Sequence, residues 1–132
     1  MPHVARDFKA EPASVKAARD FVSAALRVWD MDELEEFATL LTSELVTNAV
    51  IHARTVFRLS ASCDPGGLIV EIRDRSSTFP RGPAPDQDAA YGRGLALVAA
   101  VAARWGVRFE EFGKTVWFAL APADAPVAPL RV

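Results

Sequence analysis

Glu44, Asn48 and His52 recur every four residues within Leu41-Thr42-Ser43-Glu44-Leu45-Val46-Thr47-Asn48-Ala49-Val50-Ile51-His52, with Thr47 beside them. On a helix that spacing stacks the three side chains along one line, next to a second line made by Phe37, Leu41, Leu45 and Ala49. A carboxylate and a carboxamide one turn apart, bordering an apolar stripe, can both point into a cleft. An Asn carbonyl oxygen is a hard donor suited to Mg²⁺, which prefers oxygen and keeps several of its waters. A Glu one turn away can orient or deprotonate a hydroxyl nucleophile. The same pattern also describes an amphipathic helix with a polar border. His52 on its own fits a helix end, where the dipole favours a basic group.

A second feature is the strand-like alternation of Val70-Glu71-Ile72-Arg73-Asp74, which ends on a carboxylate as the chain enters a loop. A desolvated carboxylate there can accept a hydrogen bond from an exocyclic amine such as that of adenine, a contact worth about 1.5–3 kcal/mol. An Asp that merely opens a turn looks identical. The third feature is Gly92-Arg93-Gly94-Leu95, at the junction between a loop and a helix. Two glycines there let backbone amides approach an anion, the helix dipole favours phosphate, and Arg93 can add a guanidinium. No Walker-type lysine motif, zinc-protease motif or nucleophile elbow occurs in the chain.

These residues need a scaffold, and the hydrophobic pattern supplies one. Val4 to Lys9 reads as a short edge strand. Pro12-Ala13-Ser14 opens a helix over about 14–28, with Val15, Ala18, Val22, Ala25 and Leu26 on one face. Asp30 or Asp32 caps a longer helix that runs to about Ala53. The period then falls to two: Val56–Cys63 and Leu68–Asp74 form a hairpin around Asp64-Pro65-Gly66-Gly67. Residues 75–91, with Pro80, Gly82, Pro83 and Pro85, have no periodicity and read as a long functional loop or lid. Gly94–Arg104 reads as a helix, and Trp105–Glu111 and Thr115–Leu120 as a last hairpin turning at Phe112-Gly113-Lys114. Helices followed by hairpins imply an α+β two-layer sandwich, with helices on one face of a mostly antiparallel sheet.

Composition narrows the function classes. The 132 residues are 51% hydrophobic and 24% charged, as in an ordinary globular chain of one domain over 1–121, with an Ala/Pro-rich tail over 122–132. A lone Cys63 excludes an internal disulfide framework and a cysteine-cluster metal site. The net charge of −2 gives no reason to expect nucleic acid. Met1 to Pro12 lacks the apolar core of a signal peptide, and the apolar run 94–103 is too short to cross a bilayer. The expectation is a cytoplasmic protein without membrane contact.

In their order along the chain, these segments resemble the GHKL nucleotide-binding family. Glu44-Leu45-Val46-Thr47-Asn48-Ala49 is similar to its N-box, and Val70 to Asp74 to the strand entering its first glycine box. Gly92-Arg93-Gly94-Leu95 is similar to its second glycine box, and Gly113-Lys114-Thr115-Val116-Trp117 to the last hairpin of small actinobacterial members. The resemblance spans about Phe8 to Leu120 and points to the stand-alone branch of anti-sigma-factor serine kinases that includes RsbW and SpoIIAB. It implies a Bergerat-type fold, with ATP and Mg²⁺ as cofactors. Asn48 would hold the metal, Glu44 would act on the serine hydroxyl of a partner, and Asp74 would read adenine with support from Thr115. Gly92, Arg93 and Gly94 would hold phosphate at the hinge of the lid. The implied partners are a sigma factor or its antagonist, with homodimerisation as a further property of the branch.

One departure stands out. The family's first box has glycines two and four residues after its Asp, where this chain has Ser76 and Thr78. Side chains there narrow the approach to a nucleotide. The leading reading is a serine/threonine-protein kinase of the anti-sigma type. The alternative is a binding module that keeps the fold, has lost catalysis, and acts by stoichiometric contact.

Overall fold

The computed structural model describes residues 2–76 and 96–122. The expected phosphate turn Gly92-Arg93-Gly94, Thr78, the lid from residue 77 onward and the tail from residue 123 lie outside the described residues. Strand β1 (His3–Phe8) leads to helix α1 (Ala13–Val28), a short 3₁₀ turn (Asp32–Leu34) and helix α2 (Glu35–Asn48), which continues as one π-helical turn (Ala49–Ala53). Strands β2 (Phe57–Asp64) and β3 (Gly67–Asp74) follow; residues 96–101 are helical, and β4 (Arg104–Glu110) and β5 (Gly113–Leu120) form the last hairpin. The sheet order is β1-β2-β3-β5-β4, and every neighbouring pair is antiparallel. This is the expected α+β architecture. The final helix stops sooner than its apolar run suggests, and Arg104 already belongs to β4.

Strand parity decides what each residue does. On β2, Phe57, Leu59 and Ala61 are buried, and on β3 Leu68, Val70 and Ile72. Opposite them on β5 stand Val116, Phe118 and Leu120, in the register Ile72↔Val116, Val70↔Phe118 and Leu68↔Leu120. Directly opposed side chains share a face of a sheet, so these residues line one core face. They join Ala18, Val22 and Leu26 of α1 and Leu41, Leu45 and Val46 of α2 in a single cluster. Each fully buried aliphatic side chain contributes about 1.5–3 kcal/mol to holding the layers together.

Two expectations for the helices are corrected. Asp30 does not cap α2. It takes a left-handed conformation (φ 56°) just past α1, where its N–H bonds the Arg27 carbonyl and the Met31 N–H bonds that of Leu26. That is a Schellman C-cap, with Asp in the place glycine usually takes. Asp32 makes no side-chain cap either, since it lies inside the 3₁₀ turn that leads into α2. Phe37 leaves the core stripe and is 47% exposed, while Ala38, Leu41, Thr42, Leu45, Val46 and Ala49 are buried. A strict four-residue repeat gains about 40° per step on a 3.6-residue helix. Between Ala49 and Phe37 the drift carries Phe37 off the buried face.

Candidate nucleotide site

The described part of the candidate site has a helix side and a sheet side. α2 packs over β3 and β5, the strands that carry Asp74 and Lys114. On α2, Glu44 and Asn48 are half-buried at the border of the apolar face, as their spacing predicts. Among the described residues no hydrogen bond or ion pair engages Glu44, and the Nδ2 of Asn48 is buried with no hydrogen-bond partner. A buried amide left unmatched costs about 1–3 kcal/mol, so this side chain holds unused bonding capacity. A half-turn of the amide exchanges its oxygen and nitrogen, so either a donor or an acceptor can be presented. The donor set therefore fits a nucleotide-bound divalent cation taking one protein oxygen. Thr42 Oγ1, also buried and without a partner among the described residues, lies on the same helix. The π turn begins immediately after Asn48, and such turns recur at functional sites. It closes at Arg54, whose φ of 58° ends the helix as Asp30 ends α1.

The sheet side is built differently. Asp74 extends the core-facing series of β3 and is paired in register with Lys114 of β5. Lys114 Nζ donates to both carboxylate oxygens at 3.0 Å, and the Ser76 N–H donates to Oδ1 at 2.8 Å. The Lys114 and Asp74 side chains are 6% and 3% exposed. Asp74 is thus a turn-opening residue and a buried anion at once. Gly113 makes the encounter possible. It has φ 155°, and a Cβ there would stand 2.0 Å from the Asp74 carbonyl oxygen, so only glycine lets the two strands close.

Thr115 is not brought to Asp74. Its register partner is Arg73, which puts it on the opposite face of the sheet, where its hydroxyl donates to Glu110. Glu110 also pairs with Arg73 at 2.9 Å, and Arg108 pairs with Glu71. A cleft of about 300 Å³ at this end of the sheet is bordered by Val56, Arg58, Arg73, Arg75 and Phe112. Lys114 is the residue that reading the sequence missed. Placing it in a turn hid the alternation that sets it against Asp74; counting the strand from Gly113 reveals it.

Among the described residues no group of three or more His, Cys, Asp or Glu is placed to hold a metal ion, and no helix is long and apolar enough to cross a membrane. With this fold and these residues in place, the chain belongs to the histidine kinase-like ATPase domain family, whose pattern matches residues 8–120. Its structure is similar to that of the RsbU and RsbW domains of Rv1364c from Mycobacterium tuberculosis, with TM-score 0.71 and 18% identity over 96% of this chain. The likeness is one of fold, and this chain spans only 35% of that structure's length. A search of the curated proteins finds no match. Membership in a family of ATPase domains implies ATP as the ligand.

Proposed function

We propose that this chain is an ATP-binding regulator of the anti-sigma-factor serine-kinase type. It binds a sigma factor or its antagonist in the cytoplasm and passes the γ-phosphoryl group of MgATP to a serine of the antagonist. The observation that carries this reading is a polar pair on α2 that is unmatched among the described residues: Glu44 without a hydrogen bond or ion pair and Asn48 with a buried, unpaired amide nitrogen, one turn apart. The RsbW domain of the similar M. tuberculosis structure supports it.

Bound magnesium neutralises phosphate charge, and Mg²⁺ in such sites takes only one or two protein oxygens. Asn48 offers one. Glu44 accepts the proton of the serine hydroxyl as that oxygen bonds to phosphorus and the bond to the departing ADP breaks. Such transfer requires mostly positioning and charge neutralisation. Arg93 and the glycines beside it are assigned to the phosphates, and residues 75–91 to a lid. In this reading homodimerisation accompanies activity.

Calorimetric titration of the purified chain with ATP, with and without Mg²⁺, tests the reading. Magnesium-dependent binding is expected, and absence of binding under both conditions overturns it. A second reading, a binding module without catalysis, is favoured by Ser76 in the place of a glycine and by the engagement of Asp74 with Lys114. It predicts no phosphoryl transfer to any antagonist.

A further inference from the structure

Lys114 and Asp74 leave the same face of the sheet from directly opposed positions, and both are almost completely buried. An ionised carboxylate offers about four lone-pair sites and an ammonium three donors. Lys114 and the Ser76 N–H take three of the carboxylate sites, two on Oδ1 and one on Oδ2. Lys114 Nζ lies 3.0 Å from both carboxylate oxygens and needs no more than two of its three donors there. Among the described residues the pair thus keeps an acceptor and a donor in reserve. Any group that reaches the open site on Oδ2 arrives next to Nζ.

Two adjacent positions of the adenine edge carry the complementary pattern: the 6-amino group donates and N1 accepts. Resting on the ATP-binding reading above, we propose that Lys114 is a specificity-determining residue for the base. Asp74 takes the 6-amino hydrogen and Lys114 donates to N1. Burial and strand register fix the order of the two groups. Hypoxanthine and guanine meet it with the wrong atom twice, since their O6 faces the carboxylate and their N1–H faces the ammonium. An Asp alone opposes one mismatch, and the pair opposes two. In the free protein the two bonds from Lys114 also hold the carboxylate aligned before the base arrives.

The test is a titration of the whole chain with ATP, ITP and 1-deaza-ATP, in which a carbon replaces N1. The parent should bind 1-deaza-ATP about tenfold to a hundredfold more weakly than ATP, the range for a hydrogen bond from a charged donor. In Lys114→Met that difference should vanish and the preference for ATP over ITP should narrow. If Lys114→Met does not fold, Lys114→Gln supplies the readout. Its neutral amide still reaches Asp74, and the 1-deaza difference should fall below about tenfold. Equal binding of ATP and 1-deaza-ATP by the parent overturns the proposal and leaves ATP binding itself intact. An undiminished difference in the Lys114 variants overturns it too, since another group then reads N1. If the parent binds none of the three nucleotides, the proposal and the function it rests on both fail.

Discussion

On the helix side of the site, Asn48 keeps a buried amide nitrogen with no partner and Glu44 has none among the described residues, whereas on the sheet side Asp74 is bonded three times over by Lys114 and Ser76. One protein thus holds polar groups at its candidate site in two opposite ways. The unmatched side stores a cost, and the folded chain needs nothing from it. The matched side is a structural element first, because a buried pair collapses if either member leaves. A ligand can replace a missing partner on α2, but on the sheet it has to share with one already present. The two sides therefore respond differently to mutation.

The largest contrast lies in stability. Lys114→Met alone should cost about 3–5 kcal/mol, because it strands a buried carboxylate, while Asp74→Leu combined with Lys114→Met should fall near the parent value or above it. Urea unfolding of the parent, the single variant and the double variant measures both. A single variant as stable as the parent would show that the pair is solvated and would end the contrast.

Next in size is the packing of α2 itself. Leu41→Ala should cost about 2–5 kcal/mol as a buried truncation, and Phe37→Ala, half-exposed, much less. Similar losses at the two positions would place Phe37 back in the core. At the site end of α2, Asn48→Ala should leave unfolding free energy within about 1 kcal/mol of the parent, since it deletes an unpaired polar group. It should also abolish the effect of Mg²⁺ on ATP titrations. A large stability loss would mean the amide has a structural partner.

In the same region, Glu44→Gln should retain nucleotide binding and lower transfer to a serine-bearing antagonist by roughly 10²-fold or more. Transfer at the parental rate would remove Glu44 as the base. The smallest effect belongs to Cys63, far along β2 from both sides. Burial, and next the Asp64 charge, raise its thiol pKa above the ordinary value. The unfolded chain thus ionises first as pH rises, and this contribution to stability is complete below the ordinary thiol pKa and declines above it. Alkylation of the native thiol should accordingly need more alkaline pH than alkylation of the urea-unfolded chain.

Much of this was legible in the residues. Alternation at 57–64 and 67–74 and the 3.6-residue recurrence on α1 fixed elements and faces, because burial of one side of each element is what those periods encode. The placement of Glu44 and Asn48 on one border of α2 was readable for the same reason. What escaped was whatever depended on counting across a turn. Whether Lys114 or Thr115 meets Asp74 is a matter of one residue in the register, and one residue turns a side chain to the other face. Asp30 escaped because an Asp between two helices can start the second or finish the first, and the hydrogen bonds of Leu26 and Arg27 decided for the first. Phe37 escaped because a four-residue repeat imitates a helix stripe over two turns and departs from it over three.

Gly113 bears on how such a site can change over generations. The residue beside it can exchange chemistry: Lys114 and Asp74 can be lost together for an apolar pair, and a library selected only for folding should return the two positions as correlated substitutions. Position 113 has no such partner. The atom it would strike is a main-chain carbonyl oxygen, which every residue at 74 possesses, so no second change elsewhere in the library can rescue it. Deep mutational sampling should therefore find one invariant letter next to one of the more negotiable ones, with drift in the chemistry confined to whatever a fixed glycine continues to hold in place.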